Sequence, residues 1–464
     1  MIRNWQIRLG CLLALSAGPA FAAPPAKVPH HASPEPAAAP AASVATPAEA
    51  SSIANATSDI PSLEEIQTFT RAFELIKQAY VAPVGNRQLM DSAIRGMLAG
   101  LDPHSDFLDV RDLKDLTEDT SGAYSGLGIE VAQVKHQLVI VAPLDGGPAK
   151  AAGIQPGDVI EAIDGVPVQP DAIDAAITKL RGPIGSRITL SILHPDGSKP
   201  VKVPLVRQRI RIASVHARML APGFAYVRIS EFQEDTADEL TDELEKLQKE
   251  HGPLRGAVLD LRSNPGGLLT AAVAVSDDLL DAGTIVTTRG RLADANLSFS
   301  AHPGDLLNGA PLVVLVDNGT ASAAEIVSGA LKDNHRALII GKRTFGKGVV
   351  QTVLPLDAEH AVKITTARYY TPSGTSIQAE GIKPDIALAD LTVNKADSGP
   401  QLITSEADLS HHLANEDGNA PKDINNDGSA ENAKLATQDY ALSQALNVLK
   451  GLALNRPAAV PAKR

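Results

Sequence analysis

Three observations predict a multidomain α/β protein. From Gln208 to about Asp385, aliphatic runs alternate with amphipathic helical segments, the pattern of an α/β core. From Tyr124 to Arg207 the pattern changes to short strands of period two, punctuated by glycine and proline, as in a separate β-domain. Between Ser62 and about Leu116 the apolar residues recur at helical spacing. The 464 residues, 44% hydrophobic and 21% charged, have ordinary globular composition. That length suits roughly three domains of about 150 residues each. Aromatics are only 3%, so aliphatic side chains must supply most of the core. The formal net charge of −12, with no long basic stripe to offset it, argues against nucleic acid as a partner. The only cysteine, Cys11, excludes a disulfide framework and a thiolate metal cluster.

Residues 1–22 read as a secretory signal: Arg3 and Arg8, an apolar run from Leu9 to Ala17, then small residues ending at Ala22. The run is far shorter than the ~20 residues a membrane span needs. Cys11 precedes most of that run, which argues against a lipid anchor. The chain is therefore expected to be exported, to the periplasm or the membrane periphery. Residues 23–58 are Ala-, Pro-, Ser- and Thr-rich, which predicts a flexible linker, with His30 and His31 as solvated linker residues.

Residues 59–123 form the expected helical segment, carried by Ile66, Phe69, Phe73 and Ile76, then Leu89, Ile94, Met97 and Leu98. Pro83 and Gly85 divide it, and Asp102 to Asp106 reads as a turn. The segment is too short for a large core and should pack on a neighbour or a second subunit. In residues 124–207, the loop Ser125-Gly126-Leu127-Gly128-Ile129 precedes a strand, followed by the block from Ala149 through Gly157-Asp158 to Ile160, then a helix from Asp171 to Leu180 and a strand from Arg187 to Leu193. This order resembles a PDZ domain. Backbone N–H groups of such a loop can cradle a peptide carboxylate while the peptide adds as a strand.

In residues 208–385, strands are expected at 224–229, 257–261, 312–316 and 337–340, and helices at 236–250, 268–280 and 321–332. Residues 386–464 are a polar tail closing in a helix from about Asp439 to Leu452. Asp423 to Gly428 begins like a calcium loop, but Lys434 stands where a bidentate glutamate is needed, so it reads as a surface turn.

Three strings carry the chemistry: Asp260-Leu261-Arg262-Ser263-Asn264-Pro265-Gly266-Gly267, Gly319-Thr320-Ala321-Ser322-Ala323-Ala324-Glu325, and Gly346-Lys347-Gly348-Val349-Val350-Gln351. Ser322 follows a strand and opens a helix, where N–H groups and the helix dipole favour developing negative charge. Taken alone, that place suits an N-cap serine equally well. A Ser-His-Asp site has no obvious histidine, since His335 falls about 20 Å along the helix if the helix continues. Gly341 to Lys347 imitates a phosphate loop, but Gly348 replaces its Ser or Thr and a strand follows instead of a helix.

Together these strings, with Leu101-Asp102-Pro103-His104-Ser105 and Phe107-Leu108, resemble the carboxy-terminal processing peptidases, or tail-specific serine proteases, over residues 62–385. The resemblance implies a crotonase-like α/β protease core with an inserted PDZ domain. It places the nucleophile at Ser322, the general base at Lys347 and a supporting residue at Gln351. The oxyanion donors would be the N–H of Ala323 and that of Gly266 or Gly267. A lysine acts as base only as a neutral amine, a form that burial favours. On an extended strand four residues span about 13 Å, so Gln351 requires a bend, with Gly348 the expected place. Glu325 can hydrogen-bond near the site, and Asp260, Arg262 and Asn264 are expected to brace the glycine turn. No metal or cofactor is implied. The expected partners are proteins or peptides with apolar C-termini, a second copy of the chain, and conceivably an adaptor protein. The rival reading is a catalytically inactive PDZ receptor or scaffold.

Overall fold

A computed structural model describes residues 60–144, 146–197, 199–394, 413 and 429–454. The leader, the linker with its histidine pair, and the calcium-like turn at 423–428 lie outside the described residues. The chain divides into two compact units: Arg111–Ala213, and the described parts of Met1–Val110 with Ser214–Arg464.

Helix α1 (Leu63–Ala79) opens with a capping box in which the Glu65 N–H donates to Ser62 Oγ and the Ser62 N–H to the Glu65 carboxylate. None of its residues is buried. Gly85 then caps α2 (Asn86–Ala99), and β1 (Asp106–Leu108) follows.

The Arg111–Ala213 unit takes in most of α3 (Val110–Ser121), so the helical segment expected over 59–123 is shared between the two units. Its strands and helices are β2 (Ala123–Gly126), β3 (Ile129–Val134), β4 (Gln137–Pro143), α4 (Pro148–Ala151), β5 (Val159–Ile163), β6 (Val166–Pro167), α5 (Ile173–Leu180), β7 (Arg187–Leu193), β8 (Val201–Val206) and β9 (Gln208–Arg211). The main sheet runs β3-β4-β5-β7-β8, with β6 on β5 and a separate β2–β9 ribbon. Alternating side chains of β4, β5 and β7, among them Leu138, Ile140, Ile160, Leu190 and Ile192, make its core, as period two dictates. Strand β3 is an edge.

The larger unit continues with β10 (Val215–Ala221), β11 (Phe224–Ile229), α6 (Thr236–His251), β12 (Gly256–Asp260), α7 (Leu269–Asp278), β13 (Thr284–Gly290), β14 (Ser298–Ser300), β15 (Leu312–Val316), α8 (Ala323–Asp333), β16 (Ala337–Gly341), β17 (Val349–Pro355), β18 (Ala361–Tyr370), β19 (Ile386–Ala387), α9 (Ser429–Gln438) and α10 (Tyr440–Leu454). Its main sheet has the order β10-β11-β12-β15-β16-β19 and is parallel from β11 to β19. Every residue of β12 and β15 is buried, as expected of parallel strands covered on both faces. Helices α6, α7 and α8 cover one face, and Leu442, Ala445, Leu446 and Leu449 of α10 cover the other. A second sheet, β1-β18-β13-β14 with β17 on β18, completes the unit. The sequence marks only β17 of this sheet, as the strand expected after Gly348.

Asp278 closes α7, where a negative charge meets the helix dipole unfavourably. Burial, with Asp277 and Asp238 nearby, pushes its carboxyl up to about 6. Its buried Oδ2 has no hydrogen-bond partner among the described residues. A raised carboxyl contributes stability below its unfolded value, and that contribution is lost as pH climbs through the folded value. Asp278→Asn is therefore expected to raise the unfolding free energy by roughly 1–2 kcal/mol at pH 8 and to change little at pH 4, as read by denaturant titration at both pH values.

Candidate active site

The C-terminal ends of parallel strands β12 and β15 each deliver a tight turn, and the two turns are stitched together. After β15, Asp317 accepts the Ser263 N–H at 2.7 Å and the Gly319 N–H at 2.9 Å on one oxygen. Thr320 Oγ1 donates to the Leu261 carbonyl at 2.8 Å. Asn264 is wholly buried, and its main-chain carbonyl accepts the Ala321 N–H at 2.9 Å. Its Nδ2 donates to the Ile229 carbonyl at 2.9 Å, and its Oδ1 accepts the Gly266 N–H at 2.8 Å.

That last bond corrects the expectation for Gly266, whose N–H is already committed to Asn264. Gly267 is differently placed. It forms a parallel bridge with Phe232 in which the Gly266 carbonyl accepts the Phe232 N–H and the Leu268 N–H donates to the Phe232 carbonyl. The Gly267 N–H therefore points away from Phe232. The residue has φ +134°, and an added Cβ would lie 2.1 Å from the Phe232 oxygen, so only glycine fits.

Helix α8 begins at Ala323, two residues later than its expected start, which leaves Ser322 outside it at φ +53°. A serine in that region is strained and persists only where its surroundings hold it. The holder is Glu325, one turn into the helix and wholly buried. Its Oε2 accepts the N–H of Ser322 and the N–H of Lys347, each at 2.8 Å. Its Oε1 accepts Thr344 Oγ1 and the Gly346 N–H. Burial pushes this carboxyl above the usual carboxylate range, opposed by the four donated hydrogen bonds. The main chains of Ser322 and Lys347 thus meet on a single oxygen atom. The sequence analysis assigned Glu325 only a nearby hydrogen bond; its spacing from Ser322 was visible, but its contacts with residues 344–347 were not.

Lys347 is 1% exposed, and its amine makes no ion pair among the described residues. Gln351 is also buried; its Nε2 donates to Thr365 Oγ1 at 3.4 Å, while its Oε1 has no hydrogen-bond partner among the described residues. The bend that Gln351 needs is a register shift in the β17–β18 ladder between Val350 and Gln351, rather than at Gly348. The Thr365 N–H donates to Ser105 Oγ, which in turn donates to Asp102. Against the upward push of burial, hydrogen bonds from Ser105 and the His104 N–H hold the Asp102 carboxyl below its usual value. Burial lowers His104. The turn at 102–105 therefore stands behind the lysine and glutamine, a role that spacing alone does not reveal.

In the smaller unit, Ser125 and Gly126 belong to the β2–β9 ribbon, and Ser125 Oγ donates to the Gly182 carbonyl. The loop that can face a peptide carboxylate narrows to Leu127, Gly128 and Ile129, at the head of edge strand β3. Gly128, at φ +66°, accepts the Leu144 N–H, and Leu127 accepts the Ala149 N–H.

Comparisons with known proteins bear on the family of the chain. The family model for peptidase family S41 matches residues 223–388, a PDZ domain model residues 139–193, and the model of the activating protease CtpB N-terminal domain residues 30–111. A carboxy-terminal-processing protease of Bartonella bacilliformis is 39% identical over 390 residues, covering 84% of this chain and 89% of its own length. A carboxyl-terminal-processing protease of a Synechocystis species is 38% identical over 348 residues, covering 73% of this chain and 79% of its own. The carboxy-terminal processing protease CtpA of Bacillus subtilis is 35% identical over 318 residues, covering 68% and 67%. Among solved structures, the photosystem II D1 C-terminal processing protease is 33% identical and covers 70% of this chain and 94% of its own, with a TM-score of 0.42.

Two variants probe the turns. Glu325→Gln sets an amide N–H₂ against N–H and O–H donors, so peptide hydrolysis is expected to fall roughly ten- to a hundredfold while the protein stays folded by circular dichroism. Because the anion accepts all four bonds, wild-type activity should fade as pH drops through the raised Glu325 value, and the Gln variant should lack that acid limb. Stability runs the other way, since a raised carboxyl favours the fold below that value and loses its contribution as it ionises. Gly267→Ala is expected to lower kcat by at least about a hundredfold in the same assay.

Proposed function

The chain belongs to the carboxy-terminal processing proteases of peptidase family S41 and is a serine-type C-terminal processing peptidase with a PDZ domain; from there we propose that Ser322 and Lys347 form its catalytic dyad, with Gln351 in support. The observation that carries this reading is the Glu325 oxygen shared by the main chains of both residues. A base requires a neutral amine, and the Lys347 amine is buried with no ion pair among the described residues. The unpartnered Gln351 Oε1 is an acceptor suited to orient that amine.

In the proposed mechanism the Lys347 amine takes the proton of Ser322 Oγ as the oxygen adds to the scissile carbonyl. The oxyanion so formed lies against the N–H groups of Ala323 and Gly267. Lys347 then returns the proton to the leaving amine, the C–N bond breaks, and an acyl-enzyme ester remains. Water attacks the ester with Lys347 again as base, the released carboxyl end departs, and the proton returns to Ser322. The parallel ladder β11-β12-β15-β16 with its crossover helices supports the crotonase-like description of the core.

The substrate tail adds as a strand beside β3, its carboxylate held by Leu127–Ile129, with apolar side chains favoured. The leader predicts export to the periplasm. The absence of any buried residue in α1, with Ile66, Phe69 and Ile76 exposed, supports a homo-oligomer.

The test uses protein lacking residues 1–22 beside its Ser322→Ala and Lys347→Ala variants. Each is incubated with a loosely folded protein ending in an apolar tail, and the fragments are mapped by mass spectrometry. Only the wild type should cleave, and only when the tail is neither capped nor charged. Full activity of Lys347→Ala defeats the dyad; cleavage indifferent to the tail defeats the PDZ role.

A further inference from the structure

The chemistry above leaves one charged cluster unused. Asp260 ends β12, is fully buried, and accepts Tyr226 Oη at 2.8 Å, the Arg262 guanidinium, and the Arg262 N–H at 3.0 Å. Arg228 lies 3.6 Å away and donates to the Arg262 carbonyl at 3.0 Å. Arg262 also reaches out of the sheet. Its Nη1 and Nη2 grip both oxygens of Asp439, at 3.0 and 2.7 Å.

Asp439 stands at the start of α10, where its Oδ1 accepts the Leu442 N–H at 2.9 Å and its main-chain carbonyl accepts the Ser443 N–H. The helix behind it is fixed on the sheet by Leu442, Ala445, Leu446 and Leu449. The residue after Arg262 is Ser263, at φ +54°, where the chain swings into the turn carrying Gly267. The start of that turn is therefore held from two sides, by Asp260 from the sheet and by Asp439 from the C-terminal helix. A guanidinium is planar and donates in a fixed fork, so two flanking carboxylates determine its orientation more tightly than one.

We propose that Asp439 is a positioning residue for the oxyanion turn: through Arg262, the C-terminal helix sets the direction of the Gly267 N–H. The inference rests on the oxyanion role proposed for Gly267. Such a donor acts on charge that develops in the transition state, so its misalignment lowers kcat and leaves KM nearly unchanged.

Asp439→Asn is the informative variant, because asparagine caps a helix as well as aspartate does and only the ion pair with Arg262 is lost. Alongside kcat and KM, affinity is measured for a peptide aldehyde and for the same peptide ending in an alcohol. The aldehyde takes up Ser322 Oγ as a hemiacetal: the Ser322 O–H bond breaks with its proton passing to the Lys347 amine, the O–C bond forms, the carbonyl π bond opens, and the new oxygen enters the oxyanion site. The alcohol has no carbonyl and reports binding alone. Asp439→Asn is expected to lose roughly tenfold in kcat and in aldehyde affinity, with KM and alcohol affinity within about twofold of wild type. Leu446→Ala, which loosens α10 without touching the ion pair, should leave the aldehyde-to-alcohol ratio unchanged well below its melting temperature. Asp439→Asn with a wild-type kcat and ratio overturns the proposal, as does an equal loss of ratio in Leu446→Ala. Gly267→Ala keeps the two readings apart. If it leaves the ratio unchanged, the oxyanion assignment itself fails; if it lowers the ratio and Asp439→Asn does not, only the link to the C-terminal helix fails.

Discussion

A buried carboxylate is expensive, and the one at Glu325 organises everything around it. Withdrawing an anion from water is tolerated only where hydrogen bonds replace the lost solvent. Here the replacements come from two separate stretches of chain: Ser322 on one side, Thr344, Gly346 and Lys347 on the other. Satisfying the charge therefore requires the Ser322 turn and the Lys347 loop to close on each other. The glycines flanking Lys347 follow from the same closeness. A Cβ on Gly348 would lie 2.3 Å from the Gln378 nitrogen, and one on Gly346 would meet the backbone of Ala379 and Gly381. Thr344 serves twice, donating to Glu325 while its hydroxyl accepts the Ile382 N–H.

The other ties are neutral or peripheral and act on smaller parts of the frame. Asn264 and Asp317 join the two turns at the ends of β12 and β15, so the candidate oxyanion donor and the nucleophile move together. The chain Asp102–Ser105–Thr365–Gln351 braces the glutamine from the opposite side. The unit combines a parallel ladder with irregular, hydrogen-bonded loops, the usual division between scaffold and chemistry in α/β proteins.

Much of this was legible in the sequence where burial and local pattern coincide. Strands β11 and β15 have the expected bounds, because continuous aliphatic runs between turn residues admit little else. The three site strings were legible as strings. What spacing does not carry is which groups meet across long separations. Glu325 is three residues from Ser322, yet its weight comes from partners 19 to 22 residues away. Gly266 and Gly267 are alike on paper, and only the Asn264 side chain distinguishes them. Ser125 and Gly126 read as loop because their pairing partners, Gln208 and Arg209, lie far along the chain. The bend before Gln351 is a bulge, a property of a paired ladder rather than of one strand. Strands β13 and β18 escaped notice since their threonine-bearing runs lack a clean alternation, and the three-residue β14 is too short to show one.

Strand β1, near the start of the larger unit, pairs with β18 through Asp106–Lys363, Phe107–Val362 and Leu108–Ala361. Ser105 and Thr365, 260 residues apart, bond beside it. Contacts of such separation form late, because the intervening loop must be closed before they repay its entropy. A chain emerging from a ribosome holds β1 long before β18 exists. The pairing that supports Thr365 and, through it, Gln351 therefore waits for β18. The surroundings of Ser322 are thereby completed only once β18 has been made, and a molecule cut short before it carries Ser322 without the support that Thr365 gives Gln351.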